Sequence, residues 1–152
     1  MRYVALSLLA SVAVASPALA NEARVEARGG VVWDSNNSDA TAGVALGYDW
    51  DLGGNTFVGL ETSADKILTD NTRVTFGFGG RVGVKVSPDA KLYAVSTYQT
   101  KNYKYGEDSV TLGAGYQHSF GDQFYGKVEY RHHFVENVSD YDAALVGLGV
   151  RF

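Results

Sequence analysis

The sequence predicts an all-β fold, a closed antiparallel up-and-down transmembrane β-barrel of about eight strands. Three observations predict it. Apolar residues alternate with small or polar ones at period two, which is the signature of strands. Tight turns rich in Gly, Pro and Asp alternate along the chain with longer polar loops, as in membrane barrels. The apolar faces carry too many large rings for the inside of an eight-stranded barrel, whose interior is just wide enough to be filled by side chains. The apolar faces therefore turn outward to lipid, and the faces of Gly, Ala, Ser and Thr with a few charges turn inward.

The chain opens with MRYVALSLLASVAVASPALA. One positive charge, Arg2, precedes an apolar run from Tyr3 to about Ala15, and Ala-Leu-Ala closes the segment. This is the plan of a secretory signal peptide, with cleavage expected after Ala20. The apolar run is short of the roughly 20 residues that a helical span needs. The barrel domain is expected over residues 21–152. Losing Arg2 and no acid takes the formal charge of the 152-residue chain from −4 to −5. An acidic balance argues against a nucleic-acid partner. The chain has no cysteine, so neither disulfides nor thiol chemistry is open to it. No cofactor or metal is expected.

The first strand is expected over Ala23–Trp33. In ATAGVALGYDW, Ala42, Val44, Leu46, Tyr48 and Trp50 share one face, and Thr41, Gly43, Ala45, Gly47 and Asp49 share the other. A third strand is expected over Thr56–Ala64. In RVTFGFGGRVGVKV, Val74, Phe76, Phe78, Val82, Val84 and Val86 oppose Thr75, Gly77, Gly79, Arg81, Gly83 and Lys85. A fifth is expected over Lys91–Thr100. In SVTLGAGYQHSF, Val110, Leu112, Ala114, Tyr116 and Phe120 oppose Thr111, Gly113, Gly115, Gln117 and Ser119. A seventh is expected over Phe124–Phe134. In the last, Ala144, Val146, Leu148, Val150 and Phe152 oppose Tyr141, Ala143, Leu145, Gly147, Gly149 and Arg151.

DLGGN, SPDA and GDQ read as tight turns. DSNNSD, DKILTDNTR, TKNYKYGEDS and VENVSD read as loops at the opposite end. Hairpin starts near Arg24, Thr56, Lys91 and Phe124 suggest a repeated up-and-down unit. Pro88, the one proline after the signal segment, falls in a turn, where no ladder donor is lost. Closure follows from the environment, because hydrocarbon cannot satisfy an open sheet edge.

Three groups of residues are candidates for function. Trp33, Trp50, Tyr98, Phe120, Tyr130 and Phe152 lie near strand ends and are expected to form two interfacial aromatic girdles. Arg28, Glu61, Arg81, Lys85, Lys127, Glu129 and Arg131 fall on inward faces. They are expected to form a structural ion network, with Glu61 and Glu129 pairing with Arg81 and neighbouring bases and plugging the lumen. The competing reading is a polar pathway for small solutes. His132, His133, Glu136 and Ser139 near the end of the seventh strand raise the possibility of a lipid hydrolase. Yet no serine stands two residues from a histidine on one face, and His118 and Ser119 are adjacent and so diverge. No catalytic residue is assigned.

The signal segment together with TFVGLE, KLYA, LGAGYQHSF, FYGKVEYR and LVGLGVRF resembles the small eight-stranded bacterial outer-membrane β-barrel family, of the OmpA/OmpX-like and opacity-type porin kind. The resemblance implies a Gram-negative cell envelope, periplasmic termini, surface loops and a monomer in outer-membrane lipid. It does not imply one activity. Val146, Leu148, Val150 and Phe152 resemble the terminal signal for outer-membrane barrel assembly, with barrel-assembly machinery and periplasmic chaperones as partners. Tyr103 and Tyr105 in the longest loop offer contacts to a surface ligand. The function expected is structural or surface-interacting, with a closed polar interior and no large pore.

Overall fold

A computed structural model describes residues 21–100, 108–135 and 139–152. The expected signal peptide, residues 1–20, lies outside the described residues, as do Tyr103, Tyr105 and Glu136. Eight strands form: β1 (Glu22–Trp33), β2 (Ser38–Asp51), β3 (Thr56–Ile67), β4 (Val74–Ser87), β5 (Ala90–Gln99), β6 (Ser109–Phe120), β7 (Phe124–Val135) and β8 (Tyr141–Arg151). Each pairs antiparallel with its neighbours in chain order, and the sheet closes into a barrel. Strands of 10 to 14 residues match the length needed to cross a bilayer at a tilt.

The seam pairs β1 with β8, from Arg24 opposite Arg151 to Trp33 opposite Asp142. Beyond that ladder the Ala23 N–H donates to the Phe152 carbonyl at 3.1 Å, and the Phe152 N–H donates to the Ala23 carbonyl at 2.9 Å. Among the described residues the closed sheet leaves no strand edge open, as hydrocarbon requires. At the end of the barrel holding the termini, the turn after β2 uses Gly53 and Gly54 at φ 88° and 60°, and the turn after β6 uses Gly121 at φ 71°. Only glycine adopts these angles without strain. At the opposite, loop end, the Asp34 carboxylate accepts from the N–H groups of Asn36 at 2.7 Å and Asn37 at 2.8 Å. These donors hold its pKa below the usual carboxylate value.

The alternation sorts every strand. Phe76, Phe78, Leu112, Val146 and Leu148 are exposed on the outer wall. Ala45, Thr75, Thr97, Thr111 and Ala143 are buried inside. Three differences from the sequence reading matter. β3 runs to Ile67 rather than ending at Ala64, because Asp65 points inward and is bonded by Arg28. β2 begins at Ser38, so part of the expected DSNNSD loop is strand. Phe57, Tyr93 and Tyr125 point into the lumen and are almost fully buried. The interior takes these rings because glycines face them, as described below.

Candidate functional site

The lumen is built from long side chains that lean across glycines. In a barrel wall, residues opposite one another on successive strands form a row. Arg81 on β4 is opposite Gly59 on β3, which is opposite Asp49 on β2. Arg81 Nε donates to Asp49 Oδ1 at 2.8 Å, and Nη2 also bonds this carboxylate. Gly59 lies between them, and a Cβ there would collide with the Asp49 carboxylate.

The same arrangement recurs. Arg24, Gly47 and Glu61 share a row, and Arg24 Nη1 donates to Glu61 at 3.0 Å. Arg28, Gly43 and Asp65 share another, with Arg28 Nε 2.7 Å from Asp65 Oδ1. Tyr93 crosses Gly115 to donate to Glu129 at 2.6 Å. Tyr125 crosses Gly149 to donate to Glu26 at 2.9 Å. In each case the missing side chain is the space through which donor and acceptor meet.

Further contacts join these rows across the lumen. Glu61 on β3 accepts from Arg131 on β7, the opposite wall, at 2.7 Å. It also accepts from Arg28 at 3.0 Å, so three guanidinium groups surround one carboxylate. Lys127 sits 2.7 Å from Glu26 and 3.2 Å from Glu129, which also accepts from Arg131 Nε. Arg81 donates to Gln117 at 3.1 Å and lies over the Tyr93 ring, 4.8 Å from its centroid. Lys91 bridges Glu22 and Asp49 at 2.9 and 3.1 Å. Charges out of water are stable in this form only when partners meet them closely, and here acids and bases alternate through the whole cross-section. A pocket at the loop end, lined by Thr41, Asp65, Thr75, Gln99 and His133, has a volume of about 30 Å³, room for water and not for a larger solute.

Of the residues singled out in sequence, Arg28, Glu61, Arg81, Lys127, Glu129 and Arg131 are all buried in this lumen. Lys85 is a correction. It lies at the turn-end rim, partly exposed, paired with Asp51. The expected bond from Arg81 to Glu61 and Glu129 is a second correction, since Arg81 serves Asp49 in its own row. The inward phase says which face a residue is on, and the shear of the tilted sheet decides which inward residues share a row. Arg24, Glu26, Asp49, Asp65, Tyr93 and Tyr125 were missed. Parity could have found Arg24 and Glu26 from Arg28, Asp65 from Glu61 and Tyr125 from Lys127; Asp49 and Tyr93 lie on strands where no inward residue was chosen.

The outer wall carries aromatic residues at both ends. Trp50, Phe120 and Phe152 lie outward near the turn end. Trp33, Tyr98 and Tyr130 lie outward toward the loop end, where the Tyr130 hydroxyl donates to Asp142 and the Trp33 and Tyr130 ring centroids are 6.3 Å apart. Val146, Leu148 and Phe152 are exposed on one outward row of β8, with Val150 half-buried among them. His132 lies outward against Asp142 at 2.7 Å, and His133 lies inward, stacked on Tyr141. Among the described residues no hydrogen bond joins a serine to a histidine.

The family described as "Outer membrane protein beta-barrel domain" matches residues 5–152. No curated protein matches. Among solved structures, Neisserial surface protein A is similar with a TM-score of 0.61 and 13% identity, over 86% of this chain and 95% of that one. The N-terminal β-barrel domain of Pseudomonas aeruginosa OprF gives 0.58 and 14%, over 89% and 100%. Ail, the attachment invasion locus protein of Yersinia pestis, solved with the heparin analogue sucrose octasulfate, gives 0.58 and 13%, over 87% and 97%. At these identities the likeness is one of fold.

Proposed function

The chain belongs to the outer membrane protein beta-barrel family, and from that premise we propose that it is an integral protein of a bacterial outer membrane with a structural or surface-interacting role and no open pore. The observation that carries the reading is the Glu61–Arg131 contact, because it joins opposite walls of the barrel at 2.7 Å. Around it the rows over Gly47, Gly43 and Gly115 fill the same cross-section. A solute crossing the lumen would have to break several buried ion pairs at once, each stabilised by low dielectric surroundings.

In this reading residues 1–20 are removed on export, the turn end and both termini face the periplasm, and the loops face outward. Short periplasmic turns and longer outer loops are the usual arrangement. The outward row of Val146, Leu148, Val150 and Phe152 is the contact for barrel-assembly machinery and its chaperones, and the mature barrel is a monomer in outer-membrane lipid. Any surface ligand binds the loops. No bond-making chemistry is assigned.

Conductance across planar bilayers tests the reading. The purified wild-type barrel is expected to insert without steady current. Long-lived ion currents through the wild type would replace this role with that of a small-solute channel.

A further inference from the structure

The lipid-facing wall is not uniformly convex. Over β6, β7, β8 and β1 it sinks into a depression of about 680 Å³. Its floor is Ala27, Gly29 and Gly126, all outward-facing and all small, and its sides include Tyr116, Phe120 and Leu148. The register explains the hollow. His118, Gly126, Leu148 and Ala27 follow one another in a single row on four successive strands, so two of the four positions present almost no side chain.

One residue of that row is out of character. Among the described residues, His118 is the only Asp, Glu, Lys, Arg or His on the outward face of the turn-end half of the wall. It lines the turn-end part of the depression, between Tyr116 and Phe120 and two residues before the end of β6. Its Nδ1 is 3.2 Å from the Tyr116 hydroxyl. The ring packs between Tyr116 and Phe120, with centroids 6.2 and 5.2 Å away. In the tautomer whose Nδ1 accepts from the tyrosine hydroxyl, Nε2 carries the N–H. That N–H is a donor placed at the depth where an apolar wall meets lipid headgroups, where polar side chains are tolerated.

We propose that this depression holds an acyl chain of one phospholipid of the turn-end leaflet, with the His118 Nε2–H donating to its phosphate. The occupant follows from the chemistry of the surface. A membrane barrel has lipid against this wall, the hollow is apolar along its length, and one polar donor marks one end. An amphipathic molecule with an anionic oxygen next to a hydrocarbon chain matches that order. Gly126 and Ala27 make the chain fit more closely than on a convex wall, so dispersion contacts distinguish this lipid from its neighbours. The site rests on the proposed membrane residence of the barrel.

The test is native mass spectrometry of the full mature barrel, taken from nanodiscs of mixed phosphatidylethanolamine, phosphatidylglycerol and diacylglycerol into detergent. The wild type is expected to keep one phospholipid per barrel. Gly126→Leu fills the floor from the outside, where the nearest atoms to an added Cβ are a Phe120 ring carbon at 3.1 Å and a Leu148 methyl at 3.6 Å. It is expected to lower lipid retention about tenfold, a loss of one decade in affinity. Ala27→Leu fills the same hollow from the next strand but one and serves if Gly126→Leu does not fold. His118→Leu is expected to keep the groove but lose the preference for a phospholipid over a diacylglycerol. Val82→Leu, on another part of the wall, is expected to change nothing. Equal retention in the filled variants overturns the proposal, as does a lipid-free dimer that the filled variants abolish. Failure of the wild type to insert into nanodiscs would overturn the membrane residence itself, a result distinct from insertion without a retained lipid.

Discussion

Arg81 reaches Asp49 over Gly59, two strands away in the same row of the barrel wall. The contact shows how a lumen built from a glycine-rich face is filled. Each glycine in such a row gives its neighbours on both sides room to meet above it. Glycine here is a packing device, since a larger residue would displace the ion pair.

Gly59→Val should therefore destabilise the barrel by about 1–3 kcal/mol, the usual cost of overpacking, and more if the Arg81–Asp49 pair is broken. Gly29→Ala is the control. Its added Cβ meets nothing nearer than the Thr41 carbonyl oxygen at 3.4 Å, and it faces outward. A change within about 0.5 kcal/mol is expected there. Urea unfolding in lipid vesicles measures both.

Position in the network should set the effect of removing a base. Arg131 is fully buried and bonds Glu61 and Glu129. Arg131→Ala takes one donor from each of two buried carboxylates, which keep Arg24 and Arg28 on Glu61 and Lys127 and Tyr93 on Glu129, and should cost about 1.5–3 kcal/mol. Lys85 is partly exposed at the rim, and Lys85→Ala should leave the unfolding midpoint almost unmoved. Equal effects of the two would contradict the division between lumen and rim.

Facing is tested on the outer wall. Phe78 is exposed to lipid in the loop-end half of β4, opposite Tyr98. Phe78→Arg should cost about 1–3 kcal/mol, between the interfacial and midplane values, and a spin label at position 78 should report lipid rather than water.

Much of this was legible in the sequence, and the rest was hidden for a definite reason. Period two assigned Phe78 and Leu112 to the outside and Glu61, Arg81 and Arg131 to the inside, because a strand has only two faces. It could not tell that Arg81 belongs with Asp49 and not with Glu61. That choice depends on which residues share a row across three strands, and the shear of the closed sheet sets it. Asp65 was placed in a loop because it is polar and near a strand end. Its partner Arg28 lies 37 residues away in sequence and is visible only in the fold. The inward rings of Tyr93 and Tyr125 were missed because a large ring reads as an outward residue; the pairing shows that Gly115 and Gly149 on the adjoining strands leave room for them.

Phe152 is well exposed on the outer wall, and its backbone bonds Ala23 in both directions. Phe152→Ala removes the ring and leaves those two bonds. Refolding into detergent micelles should stay close to wild type. If the ring is the contact for assembly machinery, the variant's level in the outer membrane of cells should fall while the in vitro yield holds. Normal levels in cells would leave the ring a girdle residue alone.

The most direct measurement of the row-over-glycine account is a pair of double-mutant cycles on unfolding free energy in lipid vesicles. One removes Arg81 and Asp49, singly and together; the other removes Arg81 and Glu61. The account predicts a coupling of about 0.5–3 kcal/mol in the first cycle and near-additivity in the second. Coupling between Arg81 and Glu61 with none between Arg81 and Asp49 would contradict it.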